Sequence, residues 1–475
     1  MSDVRVIKAA LLGAGTVGSG VYDILQWQKD EMPKKLGAVV ELKKILVRNT
    51  KKPREGMDSS LFTDNWKEIL DDPEIEIVIE VMGGIEPAKT YITEALHAGK
   101  HVVTANKDLL AEHGKEVLDA AEEHGCDLMF EAAVAGGVTA LACMPNTKPP
   151  VDNKETVKYI LDKAKKAKAK VYPVGCITKG MQGKELCDYD ELKAAGCVAV
   201  SDDGRPVESA NMMAQAMVKA HYAGLKVISH CEDLEIIDGG IINKGKISQQ
   251  LGVKGMSRLS EDIITARELA IAQDTQMPIH IAHVSTKGSV NTIRGNTHIG
   301  VMCTCETAPH YFMMTDEKLL SRDADYRMNP PLREEDDVMA ITAAVADGTI
   351  DCIVTDHAPH SAEEKADFEK APNGVVGMET SLAATLTGLY HTGTISLMHI
   401  VRLMCVNPRK ILGIEGGSLG IDDIADIAIF DADESWTVDP EKLHSKSKNT
   451  CFKGMTLKGR VKYTLVNGKI VYEDK

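Results

Sequence analysis

Residues 350–360 read Ile-Asp-Cys-Ile-Val-Thr-Asp-His-Ala-Pro-His, an apolar run that ends abruptly in polar side chains. A buried parallel strand delivers polar groups in this way to the carboxyl edge of a β/α barrel, where barrel enzymes hold their chemistry. Asp356 and His360 are therefore candidate functional residues. The segment predicts an α/β fold with parallel strands and a site at one edge of the sheet.

Three further apolar runs upstream end in residues of the same kind. They are Val-Ile-Ser-His (227–230), Ile-His-Ile-Ala-His (279–283) and Val-Ala-Val-Ser-Asp-Asp (198–203). Histidine and aspartate are ligands for zinc and similar ions, and the ends of neighbouring parallel strands lie close together. Any one of these strand ends, taken alone, is more often structural. Four of them in chain order favour a metal site.

The bulk composition limits the classes of function. At 475 residues the chain is long enough for two or three domains, and 44% hydrophobic with 26% charged residues is typical of a globular protein. A net charge of −15 argues against nucleic acid as a partner, and no apolar run has membrane-spanning length. Eleven cysteines without regular spacing, and no signal peptide before the first strand, predict reduced thiols in the cytoplasm.

The amino-terminal residues carry a dinucleotide-binding pattern. An apolar strand over residues 4–12 precedes Gly-Ala-Gly-Thr-Val-Gly (13–18) and an apparent helix, so the glycines would let the backbone approach a pyrophosphate at the helix start. The second strand, residues 39–47, ends in Arg48. Arginine at this place suits a ribose 2′-phosphate and favours NADP over NAD, although a solvated surface charge is the alternative.

Four motifs in this region make residues 1–137 resemble the NAD(P)-binding domain of homoserine dehydrogenase. They are Gly-Ala-Gly-Thr-Val-Gly-Ser-Gly-Val (13–21), Val-Met-Gly-Gly-Ile-Glu-Pro-Ala (81–88), Ala-Asn-Lys-Asp-Leu-Leu-Ala (105–111) and Phe-Glu-Ala-Ala-Val-Ala-Gly-Gly (130–137). The resemblance implies a Rossmann-like doubly wound sheet that binds NADP or NAD. The residues it places at the cofactor are Gly13, Gly15, Thr16, Val17, Arg48 and Lys107.

Residues 138–475 resemble a different family, the class I dihydroorotases of the amidohydrolase superfamily. The motifs are Met-Pro-Asn-Thr (144–147), Ser-Asp-Asp-Gly (201–204), His-Cys-Glu-Asp (230–233), Ile-His-Ile-Ala-His-Val-Ser-Thr (279–286), Glu-Thr-Ala-Pro-His-Tyr (306–311), Met-Asn-Pro-Pro-Leu-Arg (328–333), Thr-Asp-His-Ala-Pro-His (355–360) and Val-Gly-Met-Glu-Thr (376–380). This resemblance implies a TIM barrel over 138–412 and part of a small β-sandwich over 413–475.

The same resemblance implies a metal-dependent hydrolase that interconverts dihydroorotate and N-carbamoyl-aspartate in pyrimidine biosynthesis, with Zn²⁺ as the metal. Asp203 matches a carboxylate that bridges two ions, and His230 and His283 match imidazole ligands of the second ion. Asp356 matches both a ligand of the first ion and the acid/base that moves the proton. The residues that match substrate contacts are Asn146, Asn329, His360, Asn373 and Gly374.

The chain departs from the dihydroorotase pattern at one place. The family's first barrel strand carries a His-x-His-x-Arg element, which should precede Val138 and is absent from the sequence. The first ion keeps only Asp203 and Asp356, whereas the second keeps three protein ligands. Seven strands also leave the barrel with two unpaired edges, unless residues 127–133 or another subunit supply a strand. We therefore expect impaired hydrolysis.

The joint between the two resemblances lies at residues 132–137, a small-residue stretch that both families share. We interpret the chain as a fusion of two truncated genes, with an evolved bifunctional protein as the competing view. Three functions follow: an impaired dihydroorotase-type hydrolase, a homoserine dehydrogenase-type oxidoreductase that has only its cofactor domain, or a non-catalytic product that binds NADP or zinc. The partners we expect are a small-molecule substrate and, as one assembly to consider, a second copy in a homodimer.

Overall fold

The structure is a computed structural model that describes residues 5–27, 38–52, 54, 56–82, 86–104 and 131–474. The chain divides into two compact units, Met1–Asp127 and Leu128–Lys475. Within the described ranges, no helix combines the length and the apolar character needed to cross a lipid bilayer.

The first unit is built on a five-stranded parallel sheet with the strand order β3-β2-β1-β4-β5. Strands of parallel sheets are covered on both faces, and Ala9 to Leu12 on the central strand are fully buried. The described elements of this unit are β1 (Arg5–Leu12), α1 (Thr16–Trp27), β2 (Ala38–Leu46), β3 (Phe62–Thr63), α2 (Lys67–Leu70), β4 (Ile75–Glu80), α3 (Ala88–His97) and β5 (His101–Thr104). This is the predicted doubly wound, NAD-binding type of fold.

The second unit is organised around a sheet of seven parallel strands that follow one another in chain order, apart from two short strands that form a separate ladder. The seven are β6 (Ala140–Cys143), β7 (Lys170–Gly175), β8 (Ala199–Val200), β9 (Lys226–Ser229), β12 (Ile279–Ile281), β13 (Cys303–Thr307) and β14 (Cys352–Ile353), and the separate pair is β10 (Ile242–Asn243) and β11 (Gly255–Met256).

In the described part of this unit the sheet curls without closing, because β6 pairs only with β7 and β14 pairs only with β13. All four residues of β6 are partly exposed, whereas the residues of the inner strands β8 and β12 are all buried. The predicted barrel that lacks one strand is therefore a curled half-barrel with an open side between β6 and β14.

Helices cover the outer face of this sheet and build the largest apolar core of the molecule around residues such as Leu192, Met213 and Ile281. The described α-helices of the second unit are α4 (Glu131–Ala135), α5 (Lys154–Ala164), α6 (Tyr189–Ala195), α7 (Ala210–Tyr222), α8 (Leu234–Ile237), α9 (Lys246–Leu251), α10 (Leu259–Thr275), α11 (Lys287–His298), α12 (Pro309–Met313), α13 (Glu335–Asp347), α14 (Ser381–Thr385), α15 (Leu397–Val401) and α16 (Asn407–Leu412).

The carboxyl-terminal residues form the small β portion that the sequence predicts. Strands β15 (Ile427–Thr437), β16 (Thr456–Val466) and β17 (Lys469–Glu473) make an antiparallel sheet in that order. The sheet packs against α4, where the hydroxyl of Thr464 donates to the backbone carbonyl of Val134 at 2.7 Å. Because residues 131–135 are helical, that part of the segment 127–133 is not a barrel strand.

Candidate metal centre and its surroundings

Three of the predicted site residues meet at the carboxyl ends of neighbouring strands. Asp203 follows β8, His230 follows β9 directly, and His283 lies two residues beyond β12. One carboxylate oxygen and one ring nitrogen from each histidine lie within 4.8 Å of one another. Parallel pairing of β8 with β9 and of β9 with β12 places these strand ends side by side.

The three side chains face a common point. Oδ1 of Asp203 lies 3.4 Å from Nδ1 of His230 and 3.7 Å from Nε2 of His283, and the two ring nitrogens are 2.8 Å apart. Both histidines are buried. Within the described residues, the other ring nitrogen of His283, Nδ1, is buried without a hydrogen-bond partner. One carboxylate and two imidazoles are a ligand set that zinc takes in proteins, so these residues fit a metal ion.

Electrostatics in this cluster follow from burial and from close partners of opposite charge. Burial disfavours the charged form of Asp203, but hydrogen bonds from His230 and His283 outweigh it and hold the pKa of Asp203 well below its usual range. Burial likewise opposes protonation of His230, yet its bonds to Asp203 and Glu232 raise its pKa to about 10. The pKa of His283 is also raised, against burial, by its bond to Asp203. The cluster therefore holds positive charge strongly, as a cation site should.

Asp356 lies three residues beyond the end of β14, and its charge acts on His283. Burial raises the pKa of Asp356 to about 6, the charge of His283 lowers it, and the charge of Asp203 raises it further. Asp356 has a φ of 44° and His283 a φ of 33°, in the left-handed region that non-glycine residues seldom adopt. Such backbone strain is concentrated at functional sites, and here it occurs at one residue of the cluster, His283, and at Asp356.

Two predicted substrate residues contact the cluster directly. The side-chain amide of Asn146 donates to Oδ2 of Asp203 at 2.8 Å. The amide nitrogen of Asn329 donates to Oε1 of Glu232 at 3.0 Å and lies 3.5 Å from Nε2 of His230. The structure therefore brings both asparagines to the candidate metal centre.

The remaining predicted substrate residues form a second group beside the chain that follows β14. Nε2 of His360 lies 3.0 Å from the carbonyl oxygen of Asn373, and an added Cβ on Gly374 would meet Nε2 of His360 at 3.1 Å. The side chain of Asn449 ties the two segments together: it accepts from the backbone N–H of His360 at 3.2 Å and donates to the carbonyl of Gly374 at 3.1 Å.

Asp202, the neighbour of Asp203, stabilises the local backbone. It is buried and accepts hydrogen bonds from the backbone N–H groups of Ile177 and Thr178 at 2.8 and 3.1 Å and from the hydroxyl of Thr178. Burial raises the pKa of Asp202 to about 6. Its oxygens fix the chain that follows β7.

Glu232 and Asn449 were not predicted from the sequence. Glu232 is buried, and its Oε2 lies 3.2 Å from Nε2 of His230. A signal for it exists, since the carboxylate follows a ligand histidine by two residues in the His-Cys-Glu-Asp motif. Asn449 has no comparable signal, because 89 residues separate it from His360.

In the first unit the glycine turn connects β1 to α1 as predicted. Gly13 has a φ of 104°, and an added Cβ there would meet the carbonyl oxygen of Val81 at 3.2 Å, so only glycine fits. An added Cβ on Gly15 would meet nothing within 4 Å, which leaves open space above the turn. Thr16 and Val17 begin α1, and Arg48 is exposed two residues beyond β2. Lys107 lies outside the described residues.

Three family models match the chain. The NAD-binding domain of homoserine dehydrogenase matches residues 13–131, a dihydro-orotase-like model matches residues 110–289, and the amidohydrolase family matches residues 327–472. The second match begins at residue 110, upstream of Val138, and overlaps the first over residues 110–131. Both resemblances expected from the motifs are thus found in the expected order.

Curated relatives share extensive sequence with this chain. The dihydroorotase of Geobacter metallireducens is 47% identical over 385 residues, which cover 80% of this chain and 90% of the relative. The dihydroorotase of Acetivibrio thermocellus is 46% identical over 392 residues, with 79% and 92% covered.

Solved structures agree in fold. The L-hydantoinase of Arthrobacter aurescens covers 72% of this chain and 79% of its own with a TM-score of 0.63 at 24% identity. A dihydropyrimidinase from Brevibacillus agri covers 73% and 79% with a TM-score of 0.64 at 22% identity. These structures support an amidohydrolase fold for the larger unit.

Proposed function

Since this chain belongs to the dihydroorotase family, we propose that it acts on dihydroorotate and N-carbamoyl-aspartate at a single zinc ion held by Asp203, His230 and His283. The observation that carries this proposal is the convergence of those three ligand atoms within 4.8 Å, with Asp356 close enough for its charge to act on His283. The chain is a dihydroorotase-like amidohydrolase of the metal-dependent kind, and the proposal concerns its metal, its substrate and its residual activity.

Zinc at this place would polarise a carbonyl oxygen as a Lewis acid. The chain's own contribution is proton transfer and orientation. Asp356, with a pKa of about 6, is ionised at neutral pH and accepts the proton of the attacking water. It then returns that proton to the ring nitrogen as the carbon–nitrogen bond breaks, so atoms and charge balance over the hydrolysis.

Polar side chains around the cluster orient the substrate. Asn146 and Asn329 reach Asp203 and Glu232, so their amides stand at the edge of the metal centre. His360, Asn373 and Gly374 contact one another at the turn that follows β14. We assign these five residues to substrate contacts.

The open half-barrel is the reason we propose impaired activity. A second ion would have only Asp203 and Asp356 as protein ligands, because no strand between β14 and β6 adds imidazoles in the described part of the chain. Two carboxylates are too few for a tight zinc site.

The test compares dihydroorotate hydrolysis by this chain and by the Geobacter metallireducens dihydroorotase under the same conditions, with zinc content measured by elemental analysis. We expect one zinc per chain and a rate at least about 10²-fold below that of the relative, the scale of losing one transition-state stabiliser. Asp356→Asn should abolish the remaining activity. Two zinc ions per chain, or a rate equal to the relative's, would contradict the proposal.

A second function is favoured by the glycine turn of the first unit and by its NAD-binding family match. We propose that this unit binds NADP in preference to NAD, with Gly13, Gly15, Thr16 and Val17 at the pyrophosphate, Arg48 at the 2′-phosphate and Lys107 nearby. Fluorescence titration with NADPH and NADH tests this, and equal affinity for both in wild type and Arg48→Ala would contradict the role of Arg48. No homoserine oxidation is expected, because the corresponding substrate domain is missing from the sequence.

We further propose that the protein works in the cytoplasm, since the cysteines of the described residues are free thiols, and that it forms a homodimer. Sedimentation equilibrium of the purified chain tests the dimer, and a monomer at micromolar concentration would contradict it.

A further inference from the structure

We propose that Glu232 is a positioning residue that presents Nδ1 of His230 to the metal, an inference that rests on the proposed zinc site. Glu232 follows β9, two residues after His230, and is buried. Its Oε2 lies 3.2 Å from Nε2 of His230, and its Oε1 accepts from the amide of Asn329 at 3.0 Å. Both carboxylate oxygens are therefore engaged.

The contact with Glu232 decides which ring nitrogen of His230 is available to bind a metal ion. A carboxylate only accepts hydrogen bonds, so Nε2 of His230 carries the hydrogen that it donates to Glu232. When a metal replaces the second proton of the ring, the lone pair is therefore on Nδ1, the nitrogen that faces Asp203 and His283. A metal ligand whose second nitrogen donates to a carboxylate is fixed in tautomer and in ring orientation, and is a stronger base.

The two histidines of the site differ in this respect. Nε2 of His230 has the carboxylate of Glu232, whereas Nδ1 of His283 has no hydrogen-bond partner among the described residues. Among the described residues outside the ligand set, Glu232 is therefore the carboxylate that orients an imidazole of the pair. Removing it should weaken the metal site although no ligand is lost.

Glutamine is an informative replacement because its shape is that of glutamate, but it has a single acceptor oxygen. Glu232 accepts from two donors, His230 and Asn329, with one oxygen each. In Glu232→Gln one of these donors faces the amide NH₂ group, so either the tautomer of His230 or the position of Asn329 changes. Glu235→Gln makes the same charge change on an exposed residue of the next helix and serves as the matched control.

The experiment measures the dissociation constant for Zn²⁺ by chelator competition, using the full-length chain as wild type, Glu232→Gln and Glu235→Gln. We expect binding about 10- to 100-fold weaker in Glu232→Gln, the range found when such outer partners are removed, and no change in Glu235→Gln. Wild-type affinity in Glu232→Gln would overturn the positioning role alone. A wild-type chain that binds no zinc would overturn the proposed function itself.

A second measurement needs no variant at Glu232. In zinc-loaded wild type labelled with ¹⁵N-histidine, the signals of His230 are identified by their loss in His230→Asn. We expect Nε2 of His230 to carry a hydrogen and Nδ1 to show the shift of a metal-bound nitrogen. A hydrogen on Nδ1, with the metal on Nε2, would overturn the proposal even if Glu232→Gln fails to fold.

Discussion

Nδ1 of His230 and Nε2 of His283 lie 2.8 Å apart at the ends of two neighbouring strands. At this distance one ring donates a hydrogen to the other. Two nitrogens on one tetrahedral zinc ion, each about 2.0–2.1 Å from the metal, are about 3.3 Å apart. A small rotation of the two rings is therefore enough to convert the hydrogen-bonded pair into a ligand pair around Oδ1 of Asp203.

The adjacent carboxylates Asp202 and Asp203 should respond to substitution in opposite ways. In Asp203→Asn, zinc affinity should fall by at least about tenfold because the carboxylate between the two imidazoles is lost. Zinc titration together with thermal unfolding of the metal-free chain measures zinc affinity and stability.

Asp202→Asn is the matched comparison for Asp203→Asn. The carboxylate of Asp202 accepts hydrogen bonds from Ile177 and Thr178, so its replacement should lower the free energy of unfolding by about 1–3 kcal/mol. Zinc affinity should stay at the wild-type value. Loss of zinc binding in Asp202→Asn with unchanged stability would reverse the two assignments.

Local pattern was enough to predict the elements that carry the site. The apolar runs before His230 and Asp356 are strands β9 and β14. Asp203, His230 and His283, which follow three neighbouring strands, lie close together because parallel strands share one edge. The absent His-x-His-x-Arg motif also predicted a missing strand, and within the described residues the sheet is open between β6 and β14.

Contacts between distant segments could not be predicted in this way. Asn449 joins the turn at Gly374 to His360 from a segment far along the chain, and no periodicity indicates which side chain makes such a bond. Lys365 is a second case: it reads as a surface charge in a run of acidic residues, yet it is buried.

Gly374→Ala should weaken substrate binding more than it lowers stability. Gly374 has a φ of 131°, and its added Cβ would lie 2.6 Å from Cβ of Ala358 and 3.1 Å from Nε2 of His360. The strain costs about 1–3 kcal/mol and displaces the ring of His360, so KM for dihydroorotate should rise.

The control for Gly374→Ala is Gly348→Ala, at a φ of 81° with nothing within 4 Å of the added Cβ. It introduces a strained backbone residue away from the site and should lower the melting temperature without changing KM. Equal KM values for the two variants would exclude a role of the turn in binding.

Buried thiols should make the protein sensitive to alkali. Burial raises the pKa of Cys187 and of Cys197 from 9.0 to about 12. Above pH 9 the unfolded chain loses these protons while the native chain keeps them, so the stability they contribute below pH 9 is lost as the pH rises towards 12. Each thiol should lower the free energy of unfolding by about 1.4 kcal/mol per pH unit in this window.

Urea unfolding of wild type and of the double variant Cys187→Ala/Cys197→Ala between pH 7 and pH 11 measures this effect. The difference in stability between the two proteins should be constant below pH 9 and narrow above it. Parallel curves over the whole range would show that the two thiols titrate alike in the native and unfolded chains.

Lys365 should anchor the turn that carries Asn373 and Gly374. Its buried ammonium donates to three backbone carbonyls, those of Ala324 at 3.0 Å, Arg327 at 3.2 Å and Pro372 at 2.9 Å. Lys365→Met leaves these carbonyls without their donor and should lower the free energy of unfolding by about 1–3 kcal/mol. KM for dihydroorotate should rise in the same variant, because Pro372 precedes the turn directly. Lys370→Met, at an exposed lysine of the same segment, should change neither quantity.

The contribution of Lys365 to stability changes with pH in the opposite direction to that of the thiols. Burial lowers the pKa of Lys365 from 10.5 to about 8, so between these values the unfolded chain binds more protons than the native chain. The stability that this residue contributes therefore rises with pH in that window. The free energy of unfolding of wild type should exceed that of Lys365→Met by a margin that grows from pH 8 to pH 10.5. Urea unfolding at pH 7, 8, 9 and 10 measures the difference. A difference that stays constant would mean that the lysine titrates alike in both states, and an unchanged KM would show that the turn keeps its place without this anchor.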